Sequence, residues 1–292
     1  GGTLGNAMNT QALCLPCLAG QAHRILEMVG ADEATTAETL RTVLGYLAEA
    51  DYEAPSPIHT GTFCKMLTAA TGVADPFGAA KKSATELALR LLPDLEARVN
   101  AAADPFDAAL RIAIAGNVID LATRDEVPVG ELLETLEETL ASDLDGEAIA
   151  ALQEHIGKAE RILFLADNAG EIVFDQPLLR LLPLERVTVA VRGGPILNDA
   201  TMDDARESGL TEFVRVVDNG AGIPGTWPPA CSPEFRQIYD DADLIISKGQ
   251  GNFETLFGRT AVPTWFLFRV KCRGIEVRTG RGVGTNLVLG VM

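Results

Sequence analysis

The chain has 292 residues, and its 24 Lys and Arg against 41 Asp and Glu give a formal net charge of −17. With 47% hydrophobic and 22% charged residues, the composition is that of an ordinary globular protein with a buried core, and disorder is not expected. The negative charge disfavours nucleic acid and anionic membranes as partners, and an anionic substrate would need a cation at its site. No apolar stretch reaches the roughly 18 residues of a membrane helix.

The predicted elements begin with a helical half. Segments rich in Ala, Leu and Glu follow one another there, and clusters of β-branched residues are almost absent. Within residues 33–50, Leu40, Leu44 and Leu47 share one stripe at helical spacing, which is typical of a helix with one buried face. We predict that residues 8–159 form an all-helical domain.

The texture of the sequence changes after Glu160, where short apolar runs alternate with segments long enough to hold a helix. The five runs are RILFLA, VTVAV, FVRVV, DLIIS and TWFLFRV, and residues 283–291 are a candidate sixth. Strands that alternate with helices indicate a parallel sheet with right-handed crossovers. The predicted fold class is α/β: an N-terminal all-helical region followed by a doubly wound, mainly parallel α/β/α domain at residues 160–292.

Three of these runs end abruptly in small and polar residues. The segments are ILFLADNAGE (162–171), VTVAVRGGPILNDA (187–200) and LIISKGQGNFE (244–254). The carboxyl ends of parallel strands meet at one edge of an open α/β sheet, where ligands bind, so we expect the polar residues of these loops to converge. They are Asp167, Asn168, Asp199, Lys248 and Glu254.

The first two loops have the residue types of a metal site. Asp167 and Asn168 offer the oxygen ligands that hard cations such as Mg²⁺ and Mn²⁺ prefer. Asp199 follows about one βαβ unit later, so it can face Asp167 across the sheet edge. Two carboxylates and an amide form a candidate catalytic metal site. The competing interpretation is that both aspartates cap helices, a role that their position after a strand favours.

The third loop places Lys248 and two glycines directly after a strand, in SKGQGNFE. Backbone N–H groups of such a loop, at the start of a helix, can cradle an anion while the lysine supplies positive charge. The spacing differs from the G-x-x-x-x-G-K-[ST] pattern of P-loops. Alone, the loop is weak evidence for phosphate binding.

Several segments together resemble a known family. They are CLPCLAGQA, AGNVID, DNAGE, RGGPILNDAT, SKGQGNFETL and FLFRVKC, in this order between residues 14 and 272. This set is similar to the DUF89 family of metal-dependent damage-control phosphatases, and most of all to its archaeal and bacterial branch. The resemblance covers nearly the whole chain.

The resemblance implies a hydrolase that removes phosphate from small metabolites, such as sugar phosphates or damaged phosphorylated intermediates. A divalent metal (Mn²⁺, Co²⁺, Ni²⁺ or Mg²⁺) is then held by Asp167, Asn168 and Asp199. Metal-activated water is the favoured nucleophile, because a carboxylate bound to metal is a poorer one; a phosphorylated Asp167 is the alternative.

The resemblance also implies contacts to the substrate. Lys248 faces the phosphate with the Gly249 amide nearby. Arg192 adds a second positive contact, and Asn198 of the same loop is a further substrate-binding residue. Catalytic roles extend to Glu171 and Glu254, which either orient water or cap the helices they begin. The helix that carries Asn117 and Asp120 is expected to close over the sheet edge and to form part of the substrate pocket.

Cys14 and Cys17 form a CxxC pair, which fits a redox pair, half of a zinc site, or a buried helix start. Cys272 is the candidate third partner. The odd number of scattered cysteines favours a reducing cytoplasm. Residues 1–7 show no secretory signal and are interpreted as an expression remnant before Met8.

Other functions stay open at this level. A non-catalytic protein that binds a nucleotide or sugar phosphate would use the same cradle, and a methyltransferase fits the DNAGE segment poorly. The three histidines lack metal-ligand spacing and do not support a Ser-His-Asp hydrolase. The Gly- and Pro-rich stretch at residues 219–234 is either a lid or a surface excursion. The oligomeric state is open.

Overall fold

The computed structural model describes residues 7–118, 134 and 137–291. The first part of the chain is helical, as predicted. The helices with described bounds are α1 (Cys14–Met28), α2 (Glu33–Glu49), α3 (Ser56–Thr71), α4 (Gly78–Ala101), α5 (Pro105–Val118) and α6 (Gly146–Lys158).

Polar residues set the starts of several of these helices. The carboxylates of Asp32, Asp104 and Asp145 each accept a hydrogen bond from a backbone N–H in the first turn that follows. A side chain that satisfies an N–H without an intrahelical partner favours a helix start at that point. Of the predicted helical domain, residues 119–133, 135 and 136 lie outside the described residues.

The strands of the described chain form one six-stranded sheet in the order β3-β2-β1-β4-β5-β6. They are β1 (Ile162–Leu165), β2 (Val187–Val191), β3 (Arg215–Asp218), β4 (Leu244–Lys248), β5 (Thr264–Arg269) and β6 (Asn286–Val291). β1 to β5 pair in parallel, and β6 is antiparallel to β5. The predicted α/β class is confirmed, and the candidate sixth run is β6.

Short helices connect the strands. They are α7 (Glu171–Leu179), α8 (Met202–Glu207), α9 (Pro233–Asp241), α10 (Gly249–Leu256) and α11 (Arg273–Thr279), with 3₁₀ turns at Leu184–Arg186, Leu210–Glu212 and Pro228–Ala230. Each helix covers sheet surface that would otherwise face water. This coverage explains why a central strand such as β1 is apolar along its whole length instead of alternating, whereas the edge strand β3 has exposed, charged ends.

Both faces of the sheet are buried. In β1, Ile162 and Phe164 belong to a core that includes residues of α4 to α7, whereas Leu163 and Leu165 belong to a core with residues of α9 to α11. Successive side chains of a strand point to opposite faces, so one run of four apolar residues contributes to both cores. The result is a three-layered α/β/α arrangement.

The helical half divides into two groups by packing. Residues of α1, α2 and α3 form a separate apolar cluster, which includes Leu26, Val43 and Phe63. Residues of α4, α5 and α6 instead share the core of one sheet face. The residue at which the chain divides into independently folding domains stays a prediction. Within the described residues, no helix is both long and apolar enough to cross a membrane.

The sheet order creates a crevice at one edge. β1 and β4 are neighbours, although the chain passes from β1 to β2 and β3 on one side before it returns to β4. Such a reversal of strand order separates the loops that follow the two strands, and ligands bind in the crevice between them. Asp167 follows β1 and Lys248 ends β4, so both lie at this switch point.

Candidate functional site

The loops after β1 and β2 lie side by side, as predicted. The Ala200 N–H donates to the Asp167 carbonyl (2.7 Å), and the Ala169 N–H donates to the Asn198 carbonyl (3.0 Å). Asn168 and Asp199 form an isolated antiparallel bridge between these bonds. The backbone therefore brings the three predicted metal-ligand positions together. The carbonyl of Asn198 helps to join the two loops, and its contact to a substrate stays a prediction.

Neither aspartate caps a helix. The residue before α7 is Gly170, which makes no side-chain capping bond. α8 begins after Thr201, where Thr201 and Asp204 form a reciprocal capping box. The competing interpretation of Asp167 and Asp199 as helix caps is therefore wrong, because other residues occupy both cap positions.

The two aspartates are buried next to each other. Burial raises the pKa of the Asp167 carboxyl well above its usual value, and the negative charges of Glu171 and Asp199 raise it further. Burial also raises the pKa of Asp199, against the opposing effect of the Arg192 guanidinium. Arg192 offsets part of the negative charge of these buried carboxylates, and a bound cation would offset more of it.

Arg192 contacts the protein's own carboxylates. Its guanidinium is buried, with Nε 2.6 Å from Asp199 Oδ2 and Nη2 3.7 Å from Asp167 Oδ1. Nη1 donates to Thr226 Oγ1 (3.5 Å), and Nη2 has no hydrogen-bond acceptor among the described residues. Arg192 thus holds the two aspartates in place, and its expected contact to a substrate stays a prediction for Nη2.

Asn168 joins the aspartates to Glu171. Its Nδ2 donates to Asp167 Oδ2 (3.1 Å) and to Glu171 Oε2 (2.9 Å). Glu171 is the first residue of α7 and is buried. This glutamate therefore lies in contact with the predicted metal-ligand set, and its catalytic role stays a prediction.

Lys248 lies differently from the sequence-based expectation. Its side chain is fully buried, and Nζ donates to the Ala113 carbonyl (2.8 Å), to Glu171 Oε1 (2.6 Å) and to Asp175 Oδ1. An ammonium has three N–H donors, and protein acceptors use all three. In this structure the lysine is a buried ion-pair partner of α7 and does not face an open phosphate site. Asp175, which sequence analysis missed, is the second acidic residue of α7 and lies one turn after Glu171.

Gly249 borders the Asp167 carboxylate directly. It has φ +78°, and a Cβ at this position would lie 1.9 Å from Asp167 Oδ2. Only glycine fits both the left-handed backbone and this close approach. The predicted glycine loop is therefore confirmed as a close neighbour of the first loop, and the role of its amide in binding a phosphate stays a prediction.

Lys271 is a further cation near Asp167, and sequence analysis missed it. It follows β5, is exposed, and lies close enough to Asp167 to lower the pKa of that carboxyl. Its backbone N–H donates to Gln250 Oε1 (3.0 Å), which fixes this loop against the start of α10. The available signal was its place in the FLFRVKC segment, directly after a strand end.

Glu254 forms contacts on the other side of α10. It accepts hydrogen bonds from Ser56 of α3 and from Gln250 Nε2 (2.9 Å), and burial raises its pKa. These contacts tie α3 to α10, so the structure gives Glu254 a bridging position. Its predicted catalytic role stays a prediction.

The CxxC pair lies near this group. Gln250 Nε2 is 3.7 Å from Cys272 Sγ, and the charges of Glu254 and Cys272 contribute to a raised pKa of the Cys14 and Cys17 thiols, for which burial is the main cause. Cys272 is thus a neighbour of the pair. No three His, Cys, Asp or Glu side chains in the described part of the chain form a group that could hold a metal, so no zinc cage is present there.

The end of α5 packs against the start of α7. A Cβ on Gly116 would lie 2.8 Å from Phe174 Cβ and 3.1 Å from Glu171 Cγ, so glycine permits this close approach. Asn117 is the next residue, of which the structure describes the backbone alone, and Asp120 lies outside the described residues. The helical half therefore reaches the site at this point, while the roles of Asn117 and Asp120 stay predictions.

The Gly- and Pro-rich loop at residues 219–234 also reaches the site. The Gly225 N–H donates to Asp199 Oδ2 (3.3 Å), and a Cβ on Gly225 would lie 2.4 Å from the Gly251 carbonyl oxygen. Asn219 and Thr226 are fully buried. This loop covers the edge between the second and third strand-end loops instead of running over the surface.

The donor set suits a hard divalent cation. Asp167 and Asp199 provide carboxylate oxygens and Asn168 an amide, at a buried position where negative charges already raise the pKa of neighbouring carboxyls. Arg192 offsets part of that charge, and its Nη2, which lies 3.7 Å from Asp167 Oδ1, has no hydrogen-bond acceptor among the described residues. The residues present therefore fit an oxygen-liganded metal.

Fold and site together define a class: a doubly wound α/β protein with an oxygen-rich polar site at its topological switch point. The family model of the damage-control phosphatase ARMT1-like domain matches residues 10–287. The chain belongs to this family, which includes the DUF89 proteins that its motifs resemble.

Individual relatives match over nearly their full length. A damage-control phosphatase from Pyrococcus horikoshii is 32% identical over 281 residues, covering 94% of this chain and 96% of the relative. One from Archaeoglobus fulgidus is 32% identical over 286 residues, covering 95% and 97%. The crystal structure of a DUF89 family protein from Pyrococcus horikoshii matches with a TM-score of 0.87 at 31% identity, covering 97% of this chain and 99% of that one.

Proposed function

We propose that this chain is a metal-dependent phosphatase that hydrolyses phosphate monoesters of small metabolites. The observation that carries the proposal is the convergence of Asp167, Asn168 and Asp199 at the switch point of the sheet. Support comes from membership of the damage-control phosphatase family and from the two phosphatase relatives. The proposed substrates are sugar phosphates or damaged phosphorylated intermediates, and the proposed cofactor is Mn²⁺, Co²⁺, Ni²⁺ or Mg²⁺.

Asp167, Asn168 and Asp199 would hold the cation. Arg192 and the Gly225 N–H both donate to one oxygen of Asp199, so this carboxylate keeps one orientation before any ligand binds. When bound, the cation would offset the negative charge that the phosphoryl oxygens carry. A preorganised ligand set avoids the cost of ordering these side chains during the reaction.

Two lysines would take different parts in the reaction. Lys271 is exposed beside Asp167 and would bind a phosphate oxygen of the substrate. Lys248 is buried in contact with Glu171 and would keep this carboxylate in position. This division replaces the expectation that Lys248 itself contacts the phosphate.

Glu171 would direct the attacking water. Its two oxygens are fixed by Lys248 and by the Asn168 amide, so the carboxylate lies beside the ligand residues in a defined orientation. From there it would accept a proton from the water that attacks phosphorus. Water is the proposed nucleophile, and mass spectrometry of acid-quenched reactions should find no phosphorylated Asp167. A phosphoaspartate at this position would overturn that step.

Phosphate release from p-nitrophenyl phosphate tests the function. The purified protein should release phosphate when Mn²⁺, Co²⁺, Ni²⁺ or Mg²⁺ is added, and lose this activity after treatment with a chelator. Asp167→Ala should lower the rate by roughly a thousandfold, because a charged member of a preorganised site is removed.

Asp218→Ala is the matched control, since Asp218 also ends a strand of the sheet but is exposed, and its activity should equal that of the wild type. A screen of phosphorylated metabolites would then rank substrates. If the protein binds a phosphate ester in the presence of metal but releases no phosphate from any ester, it is a non-catalytic binding protein and the proposal fails.

A further inference from the structure

Leu197 has an unusual backbone conformation at a critical place. Its φ is +46°, and among the described residues it is the single non-glycine residue with positive φ. The left-handed region brings Cβ close to the backbone in an L-residue, which costs free energy, and leucine has no polar side chain to compensate. Leu197 directly precedes Asn198 and Asp199 in the loop after β2.

The side chain of Leu197 explains how this conformation persists. It packs against the apolar cluster of α1, α2 and α3. Together with Pro195 and Ile196, it also lines an apolar cavity of about 300 Å³ whose other walls come from α1, α3 and the segment that follows α3. Apolar burial at this point offsets the backbone strain. The half-buried Leu197 is thus one of the contacts through which the helical bundle holds the loop.

The strained residue sits next to the hydrogen bonds that assemble the site. The carbonyl of Asn198 accepts the Ala169 N–H, and the Asp199 N–H donates to the Ile196 carbonyl (3.1 Å). A change of Leu197 to negative φ would redirect the chain immediately before Asn198 and Asp199. The position of Asp199 therefore depends on a backbone torsion that the bundle maintains.

We infer that Leu197 is a positioning residue: its apolar side chain, anchored in the α1–α3 bundle, holds a left-handed turn that places Asp199 against Asp167. The inference rests on the proposed function in so far as these aspartates hold a metal. It assigns the helical bundle a part in building the metal site, although no bundle side chain is needed as a ligand.

The test compares two substitutions whose order is informative. Leu197→Ala removes the anchor but keeps the penalty for positive φ, so the loop should relax and the affinity for Mn²⁺ should fall. Leu197→Gly also removes the anchor, but glycine adopts positive φ at little cost. Leu197→Ala should therefore bind Mn²⁺ on the order of tenfold more weakly than Leu197→Gly in titration calorimetry.

Ile196 is the matched control position, because it is a buried residue of the same loop without positive φ. At this position the Mn²⁺ affinity should follow the usual order, with Ile196→Gly weakened at least as much as Ile196→Ala. Leu197→Met, which keeps an apolar anchor, should retain wild-type affinity for Mn²⁺. If Leu197→Ala binds Mn²⁺ as well as Leu197→Gly or the wild type does, the inference is wrong.

Hydrogen exchange provides a readout that does not require metal. The amides of Ala169 and Ala200, which join the loops after β1 and β2, should exchange faster in Leu197→Ala than in Leu197→Gly. If the wild type binds no divalent cation, the proposed function fails, while the exchange order still decides the role of Leu197. Equal exchange in the two variants overturns the positioning role.

Discussion

One lysine ends β4 and another lies in the loop after β5, both at the same edge of the sheet, yet the two side chains differ in burial and in partners. Lys248 is fully buried between α5 and α7, and Nζ is saturated by protein acceptors. Lys271 is exposed, and its positive charge lowers the pKa of Asp167.

This difference in burial separates a lysine that holds the site's carboxylates in place from one that can contact a substrate. A buried ammonium with three protein acceptors has no donor left for a substrate, and its ion pairs fix the carboxylates of α7. An exposed ammonium is solvated and mobile, so it can exchange water for a phosphate oxygen. The order of the strands places both lysines at one edge of the sheet, but the burial of each side chain decides its role.

The largest effect is expected when the buried lysine is removed. Lys248→Met leaves Glu171 and Asp175 buried without their cation, and the loss of one partner of a buried ion pair costs about 3–5 kcal/mol in unfolding free energy. Chemical denaturation measures this change, and phosphate release should fall with it, since Glu171 loses its orientation. Asp175→Asn, which leaves the Lys248–Glu171 pair intact, should cost less. A Lys248→Met variant as stable as the wild type would contradict the assigned role.

A smaller and more selective effect is expected at the exposed lysine. Lys271→Met should lower kcat/KM for phosphate esters by at least about tenfold, because a cation that faces the phosphate is lost. Its melting temperature should stay at the wild-type value, since Lys271 is on the surface.

Lys158→Met is the control for this change, because Lys158 is exposed and pairs with Glu154 on α6. It should alter neither kcat/KM nor the melting temperature. If Lys271→Met keeps full kcat/KM, or if it lowers stability as Lys248→Met does, the two lysines do not have the different roles assigned to them.

The smallest effect concerns pH. Burial raises the pKa of Asp175 to about 7, against the lowering effect of the Lys248 ammonium and with a further increase from Glu171. In the unfolded chain the carboxyl has its ordinary pKa of about 3.9. Between these values the folded protein keeps a proton that the unfolded chain loses, so this stabilisation is complete below about pH 4 and disappears as pH rises through about 7.

Asp175→Asn removes this titration. The unfolding free energy of the wild type should therefore fall more steeply from pH 5 to 7 than that of the variant, by up to about 1.4 kcal/mol per pH unit. Denaturant unfolding at a series of pH values measures both slopes. Parallel slopes would show that the pKa of Asp175 is not raised in the folded protein.

Much of the fold was predictable because its signals are local. Apolar runs such as ILFL are long enough for a strand buried on both faces, and aspartates such as Asp145 satisfy the first turn of a helix. The convergence of Asp167 and Asp199 was predictable too, because strand ends of a parallel sheet meet at one edge. Their non-capping role was not, because the true cap positions, Gly170 and Thr201, depend on where each helix begins.

The roles of individual side chains were less predictable, because burial depends on packing between distant segments. Nothing local to SKGQG shows that the Ala113 carbonyl and Asp175 would enclose the Lys248 ammonium. The positive φ of Leu197 is likewise invisible in the sequence, since leucine rarely adopts it and does so here because a bundle formed by other parts of the chain holds its side chain.

The sequence by itself determined the order of helices and strands, the parallel sheet, and which loops meet at its edge. Periodicity, turn residues and strand direction are properties of short segments, and they survive without knowledge of the rest of the chain. The tertiary structure alone decided which lysine is buried, which carboxyl groups have a raised pKa, and which turn has a strained backbone. These features depend on which segments, far apart in the chain, come close together and exclude water. Distance and burial set the strength of charge interactions and of apolar packing.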